Sequence, residues 1–242
     1  MTAEQMRYEA ELIYESIASD AAPGYEPREW SHLLTSAQEE VVLDIVKMGI
    51  DRDESYRKSI APLLNNVEAT VSGGDLLEYT DLENSQFVNI DSNAMIVTLE
   101  RGFIDINEST TKRVSIIPHS LDFVMANVDN PFKKPDKSYE FWRCQGYTDL
   151  SKIHILIHDG TELDSYKYVE VIKPKPIIVP DSYTTDDGQI DGENFSDNNN
   201  GLDCELGVMV HRKIADKAAR LAYAADKDQV GYQIQAAEEA NK

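Results

Sequence analysis

Apolar positions recur along this chain with two different periods, and the switch between them sets its organisation. Over residues 3–19, Met6, Ala10, Ile13 and Ile17 fall on one helical stripe with Leu12 beside it, so the spacing predicts an amphipathic helix. Pro23, Gly24 and Pro27 in "APGYEP" stop it, because a proline inside a helix removes a backbone donor and clashes with the preceding turn. A second helix is predicted from about Arg28 to Met48 on the stripe Trp30, Leu34, Ala37, Val41 and Ile45, with Gly49 at the position of a left-handed cap. "DESYRKSIAPLLNN" reads as a weaker third helix with Pro62 inside it. Residues 1–65 are therefore expected to form a helical hairpin with an extra helix.

From about Val67 the period shortens. "VEATV", "FVNI", "AMIVTLERGFIDINE" and "RVSIIPH" are runs rich in β-branched residues bounded by Gly, Asn and Asp, and "SGGD" reads as a turn. "LDFVMANV" predicts a short helix. "KIHILIHDG" alternates Ile153, Ile155 and Ile157 against His154, Leu156 and His158, the pattern of a half-buried strand. "YKYVEVIKPKPIIVP" predicts a further strand, left through Pro174 and Pro176, which exclude a central sheet position. Residues 66–180 thus read as a mostly antiparallel β-rich region. Residues 181–203 hold seven acids and no base, which predicts a long exposed loop. A helical period then resumes through Leu206, Val210, Ile214, Ala218 and Leu221, so 204–242 is predicted as a C-terminal helix packing on the N-terminal ones. The fold class is α+β.

Composition narrows the possible functions. Apolar residues make up 41% of the 242, enough for a buried core, while 44 acids against 23 bases leave a formal net charge of −21. That balance repels phosphate backbones and argues against a dedicated nucleic-acid binder. No apolar run approaches the roughly 20 residues that span a bilayer, and the acidic, amphipathic start is not a signal peptide. Cys144 and Cys204 have no metal-type spacing and read as reduced core thiols. Aligning Gly188 with the turn glycine of an EF-hand puts Tyr183, Thr185 and Asn194 at ligand positions, three mismatches that defeat a calcium loop. His154 and His158 lack a neighbouring carboxylate or cysteine cluster, and His119 has only sequence neighbours, not a nucleophile geometry. No catalytic residue, metal or cofactor is expected.

One stretch runs against the acidic background. "DNPFKKPDKSYEFWRC", residues 129–144, gathers Lys133, Lys134, Lys137 and Arg143 among Phe132, Tyr139, Phe141 and Trp142. It suits a surface loop entering a strand, a stacking site for nucleic acid opposed by the net charge, or a contact whose counterpart is an acidic face of the next copy.

Four segments in order resemble a structural protein of crAss-like tailed bacteriophages. They are "LTSAQEEVV" at 34–42, "IIPHS…NPFKKP…FWR" at 116–143, "YVEVIKPKPIIV" at 168–179 and "CELGVMVHRKIADKAARLA" at 204–222. Lys173 and the acidic stretch 181–203 depart from that pattern, and 67–115 has no counterpart in it. The resemblance implies a non-enzymatic ring subunit of the virion neck or tail, made in the host cytoplasm. Such a subunit assembles with itself as a dodecamer, joins the portal to neighbouring ring proteins, and passes double-stranded DNA without binding it specifically, with no membrane role. It places Lys133, Lys134 and Arg143 on a basic edge, Glu39, Glu40 and Glu205 on the opposing side, and Phe132, Trp142, Pro174 and Pro176 among the contacts. The alternative is a protein-binding module that recognises a basic partner.

Overall fold

The structure, a computed structural model, describes residues 1–17, 24–48, 54–75, 85–107, 110–127, 130, 140–145, 151–156, 163–180, 188–198 and 200–240. In chain order the elements are α1 (Ala3–Ile17), α2 (Pro27–Met48), α3 (Glu54–Ile60), a 3-10 turn (Ala61–Leu63), β1 (Leu64–Thr70), β2 (Ser72–Asp75), β3 (Ser85–Asn89), β4 (Ala94–Asn107) and β5 (Thr110–Pro118). Then follow α4 (Leu121–Asn127), β6 (Glu140–Gln145), β7 (Lys152–Leu156), β8 (Ser165–Ile172), β9 (Gln189–Ile190), β10 (Glu193–Asn194) and α5 (Val208–Ala240). They form two compact units, one of Met1–Pro62 with Pro174–Lys242 and one of Leu63–Lys173.

In the helical unit, α5 lies against both α1 and α2. Thr2 and Gln5 close α1 with a reciprocal capping box: Gln5 N donates to Thr2 Oγ1 at 3.2 Å, and Thr2 N to Gln5 Oε1 at 3.1 Å. The buried stripe of α1 is Ala3, Met6, Ala10 and Tyr14. The expected Ile17 instead stands 43% exposed, because Tyr14 continues the stripe one turn after Ala10 and has aromatic partners there. On α2 the expected stripe Trp30, Leu34, Ala37, Val41 and Ile45 is buried throughout. The cap expected at Gly49 lies outside the described residues.

The second unit is an eight-stranded sheet of order β1-β8-β4-β5-β6-β7-β3-β2. All neighbours pair antiparallel except β5 with β6, whose parallel pairing requires a crossover, and α4 lies within that connection. "SGGD", expected as a turn, is β2, paired to β3 with an irregularity between Gly73 and Asp75 that suits an edge strand. The half-buried reading of 153–158 is also revised: Ile153, His154, Ile155 and Leu156 are all buried. Ile153 and Ile155 enter the main sheet core, while Leu156 packs with Leu121 and Val124 of α4, so both faces of β7 are covered. His158 lies outside the described residues.

The chain leaves the sheet after β8, so the β-rich stretch ends short of residue 180. Residues 174–180 belong to the helical unit. The acidic stretch is not wholly an open loop either. Asp191 and Gly192, with φ of 49° and 85°, turn the short β9–β10 hairpin. Ile190 and Phe195 then pack with Ile178 and Leu202 in a small core of their own.

Candidate functional site

Of the segments that carry the resemblance, 34–42, 204–222 and the end of 168–179 meet in the helical unit along one extended strap, residues 174–180, while 116–143 belongs to the sheet unit. Pro174, Pro176 and Pro180 hold it extended, because each fixes its own φ and keeps the residue before it out of the helical region. Its remaining backbone N–H groups then need acceptors. Ser31, Thr35 and Gln38, at i, i+4 and i+7 of α2, are buried polar residues facing it. Ser31 Oγ accepts from Val179 N at 2.9 Å, Thr35 Oγ1 from Ile177 N at 3.0 Å, and Gln38 Nε2 donates to the Lys175 carbonyl at 2.8 Å. Glu205 takes the Lys175 N–H at 2.8 Å, and Ile178 exchanges both backbone bonds with Leu202 at 3.0 and 2.8 Å. Gly201 permits that return with φ of 84°; a Cβ there would sit 2.9 Å from the Ile178 carbonyl.

The closing motif is fixed in the same way. Cys204 and Leu206 are buried, and Gly207 donates to the Ser59 carbonyl at 2.8 Å, so close that a Cβ would meet Ser59 Cα at 2.9 Å. His211 Nε2 lies 2.8 Å from the Leu206 carbonyl, which only accepts, so Nε2 carries the proton. Nδ1 then accepts from the Met1 amine at 3.0 Å, and burial holds the His211 pKa below its usual value. Asp203 caps α1 through Ala3 N at 2.7 Å. Tyr14, Tyr25 and Trp30 pack edge to face, with Tyr25 bonded to the Ala222 carbonyl at 2.8 Å and its phenol pushed up to about 12 by burial and Asp226.

In the sheet unit, Arg143 of β6 forms a two-pronged pair with Glu100 of β4 at 2.7 and 2.5 Å, and Tyr166 donates to the same carboxylate at 2.7 Å. The two charged side chains are only 16% and 9% exposed. Arg143 therefore does not stand on an exposed basic edge; its charge is matched within the subunit. Trp142 is buried too, set edge-on against the stacked His119 and Phe123. A second buried carboxylate, Glu170, accepts from Asp91 N at 3.0 Å and Asn65 Nδ2 at 3.2 Å.

The other interface candidates divide by position. Pro174 and Pro176 are buried in the strap and Glu205 bonds to it, so all three hold the subunit's own fold. Glu40 is exposed but pairs with Lys217 at 2.8 Å, alongside Asp44, and Glu39 is half-buried on α2. Phe132, Lys133 and Lys134 lie outside the described residues. Sequence reading missed the Ser31–Thr35–Gln38 ladder, although polar residues at helical spacing beside an apolar stripe were its available signal.

This arrangement organises backbone rather than activating a group. Both cysteines are buried, with thiols pushed up to about 11, opposite to what a nucleophile requires. Among the described residues no three His, Cys, Asp or Glu side chains are grouped to hold a metal, and no helix is long and apolar enough to cross a membrane.

A family model described as "Phage tail ring protein 3/4" matches residues 1–233. Among individual proteins, the chain is 27% identical over 237 residues to "Ring protein 4/5" of Bacteroides phage crAss001, covering 93% of each chain. It is 25% identical over 204 residues to "Ring protein 3" of the same phage, covering 80% of this chain and 83% of that one.

Proposed function

We propose that this chain, which belongs to the phage tail ring protein 3/4 family, is the subunit of a ring that connects portal to tail and extends the DNA channel. Membership makes it a structural ring protein of a crAss-like phage virion. The finer role is supported above all by the family match over residues 1–233, nearly the whole chain. The subunit closes on itself as a dodecamer matching the portal, is made in the host cytoplasm, and performs no catalysis. Its partners are further copies, the portal and the neighbouring ring proteins.

The electrostatics suit this work. A net charge of −21 repels phosphates, so a channel lined by such subunits lets the duplex slide instead of gripping it. Of the interface candidates, Lys133 and Lys134 remain the proposed basic edge with Phe132 beside them, and Glu39 and Glu40 oppose it; Trp142, Arg143, Pro174, Pro176 and Glu205 serve the fold of each subunit.

Native mass and negative-stain images of the purified protein, alone and mixed with the portal and neighbouring ring proteins of its own genome, test the proposal. A closed ring, or a portal complex of matching symmetry, is expected. A monomer that ignores every one of these components overturns it.

A further inference from the structure

The helical unit leaves an apolar stretch of α1 open to solvent. Tyr8 and Leu12, one turn apart, are 64% and 50% exposed. With Met1 and Ile13 they line a cleft of about 770 Å³ that runs along α1 from Glu4 to Ser16, roughly 18 Å at the helical rise. Its charges offset one another, because Glu4 and Glu9 stand against Arg212 of α5 and the Met1 amine, and Arg212 pairs with Glu9 at 3.1 Å. Apolar surface of this kind marks a contact, and shape and apolar matching must select what covers it.

The same unit holds a helix longer than the helices it packs on. Early in α5, Arg212 meets Glu9 of α1; by Asp226, which accepts from the Tyr14 hydroxyl, α5 has reached the end of α1. The start of α2 lies at that level too, since Tyr25, two residues before it, donates to the Ala222 carbonyl at 2.8 Å. Past Tyr14, α1 has only Glu15–Ile17 left. α5 instead continues from Asp226 to Ala240, roughly 21 Å further. Over this extension the sequence keeps a helical period: Val230, Ile234 and Ala237 recur at i, i+4 and i+7, and Gln235 and Glu239 fall opposite. A helical stretch of about four turns draws most of its stability from burying such a stripe.

The extension and the cleft match in length, yet they cannot meet within one chain. The cleft lies beside the first turns of α5, and the extension is the far end of that same unbroken helix. We propose that the last turns of α5 of one copy, residues 227–240, lie along the α1 cleft of the next copy. This is a helix laid in a groove, read through side chains at i, i+4 and i+7. Each copy gives one arm and receives one, so the contact joins two different patches, repeats head to tail and closes into a ring where the rotation permits. It rests on the ring reading above and names the segment that holds neighbouring subunits together.

The test uses point variants of the full chain, Leu12→Glu in the cleft and Ile234→Glu on the arm. Each is expected to keep the wild-type near-ultraviolet circular dichroism, which reports on the buried Trp30 and Trp142, one in each unit. Each is expected to sediment as a monomer where the wild type forms rings. Mixed one to one, the two variants are expected to double in mass and stop there. The intact arm of Leu12→Glu enters the intact cleft of Ile234→Glu, and the pair then has a spoiled cleft at one end and a spoiled arm at the other. Rings of unchanged mass from either variant overturn this contact but leave the ring reading standing. Mixtures that stay monomeric, or that form rings, overturn it as well. An Ile234→Glu variant that forms rings but no longer joins a neighbouring ring protein assigns the arm to that protein and overturns the contact between copies. A wild type that forms no ring, alone or with its neighbours, overturns the ring reading and this contact together.

Discussion

Arg143 shows how a residue's sequence neighbours mislead about its partners. Read among Lys133, Lys134 and Lys137 it belongs to a basic run, but strand β6 carries it to Glu100, 43 residues earlier in the chain. The pair satisfies its hydrogen bonds with a third member, Tyr166, which is what makes an ion pair tolerable at such low exposure. Removing one partner strands a charge. Arg143→Leu is expected to cost about 3–5 kcal/mol in urea-induced unfolding. The double variant Arg143→Leu/Glu100→Leu should recover much of that loss but not all of it, because the buried Tyr166 hydroxyl then lacks its acceptor. An additive loss in the double variant would remove this account of the pair. No clue to Glu100 as the partner was available from the sequence, since register across β4, β5 and β6 is a property of the folded sheet.

At the scale of elements, helical periodicity was legible where one face packs on one neighbour, as the fully buried stripe of α2 shows. It was less so on α1, where Ile17 follows the period but Tyr14 takes the buried place. β7 was misread because α4 covers the face that alternation assigned to solvent. The strap 174–180 was recognised as an exit from the sheet, yet its destination was hidden. Three prolines mark extended backbone but do not say which surface receives it. The ladder on α2 supplies that surface, and it is testable. Thr35→Val keeps the shape but leaves the buried Ile177 N–H without its acceptor, an expected loss of about 1–3 kcal/mol. Thr35→Ser keeps the hydroxyl and should lose less. Equal losses in thermal melts of the two variants would show that packing, not the hydrogen bond, matters there.

For the whole molecule, the controlling feature is that the helical unit is made from both ends of the described chain, with Leu63–Lys173 forming a unit of its own between them. A chain ended at Lys173 retains every strand of the large sheet but loses α5, which packs on α1 and α2, the helices that bury Met6, Ala10, Leu34 and Val41. Its circular dichroism is expected to keep the strand signal while the helical signal falls well beyond the share of the deleted residues. Helicity in proportion to the remaining α1–α3 would show instead that these helices stand without α5. The same topology governs the order of events on the ribosome. The first helices emerge early, yet the helix that seals them is translated only after the entire sheet unit, a delay on the order of 10 s at bacterial elongation rates. Until α5 emerges, the faces of α1 and α2 on which it packs stay open. The helical unit is thus the last part of the subunit to close, and its completion is timed by translation itself.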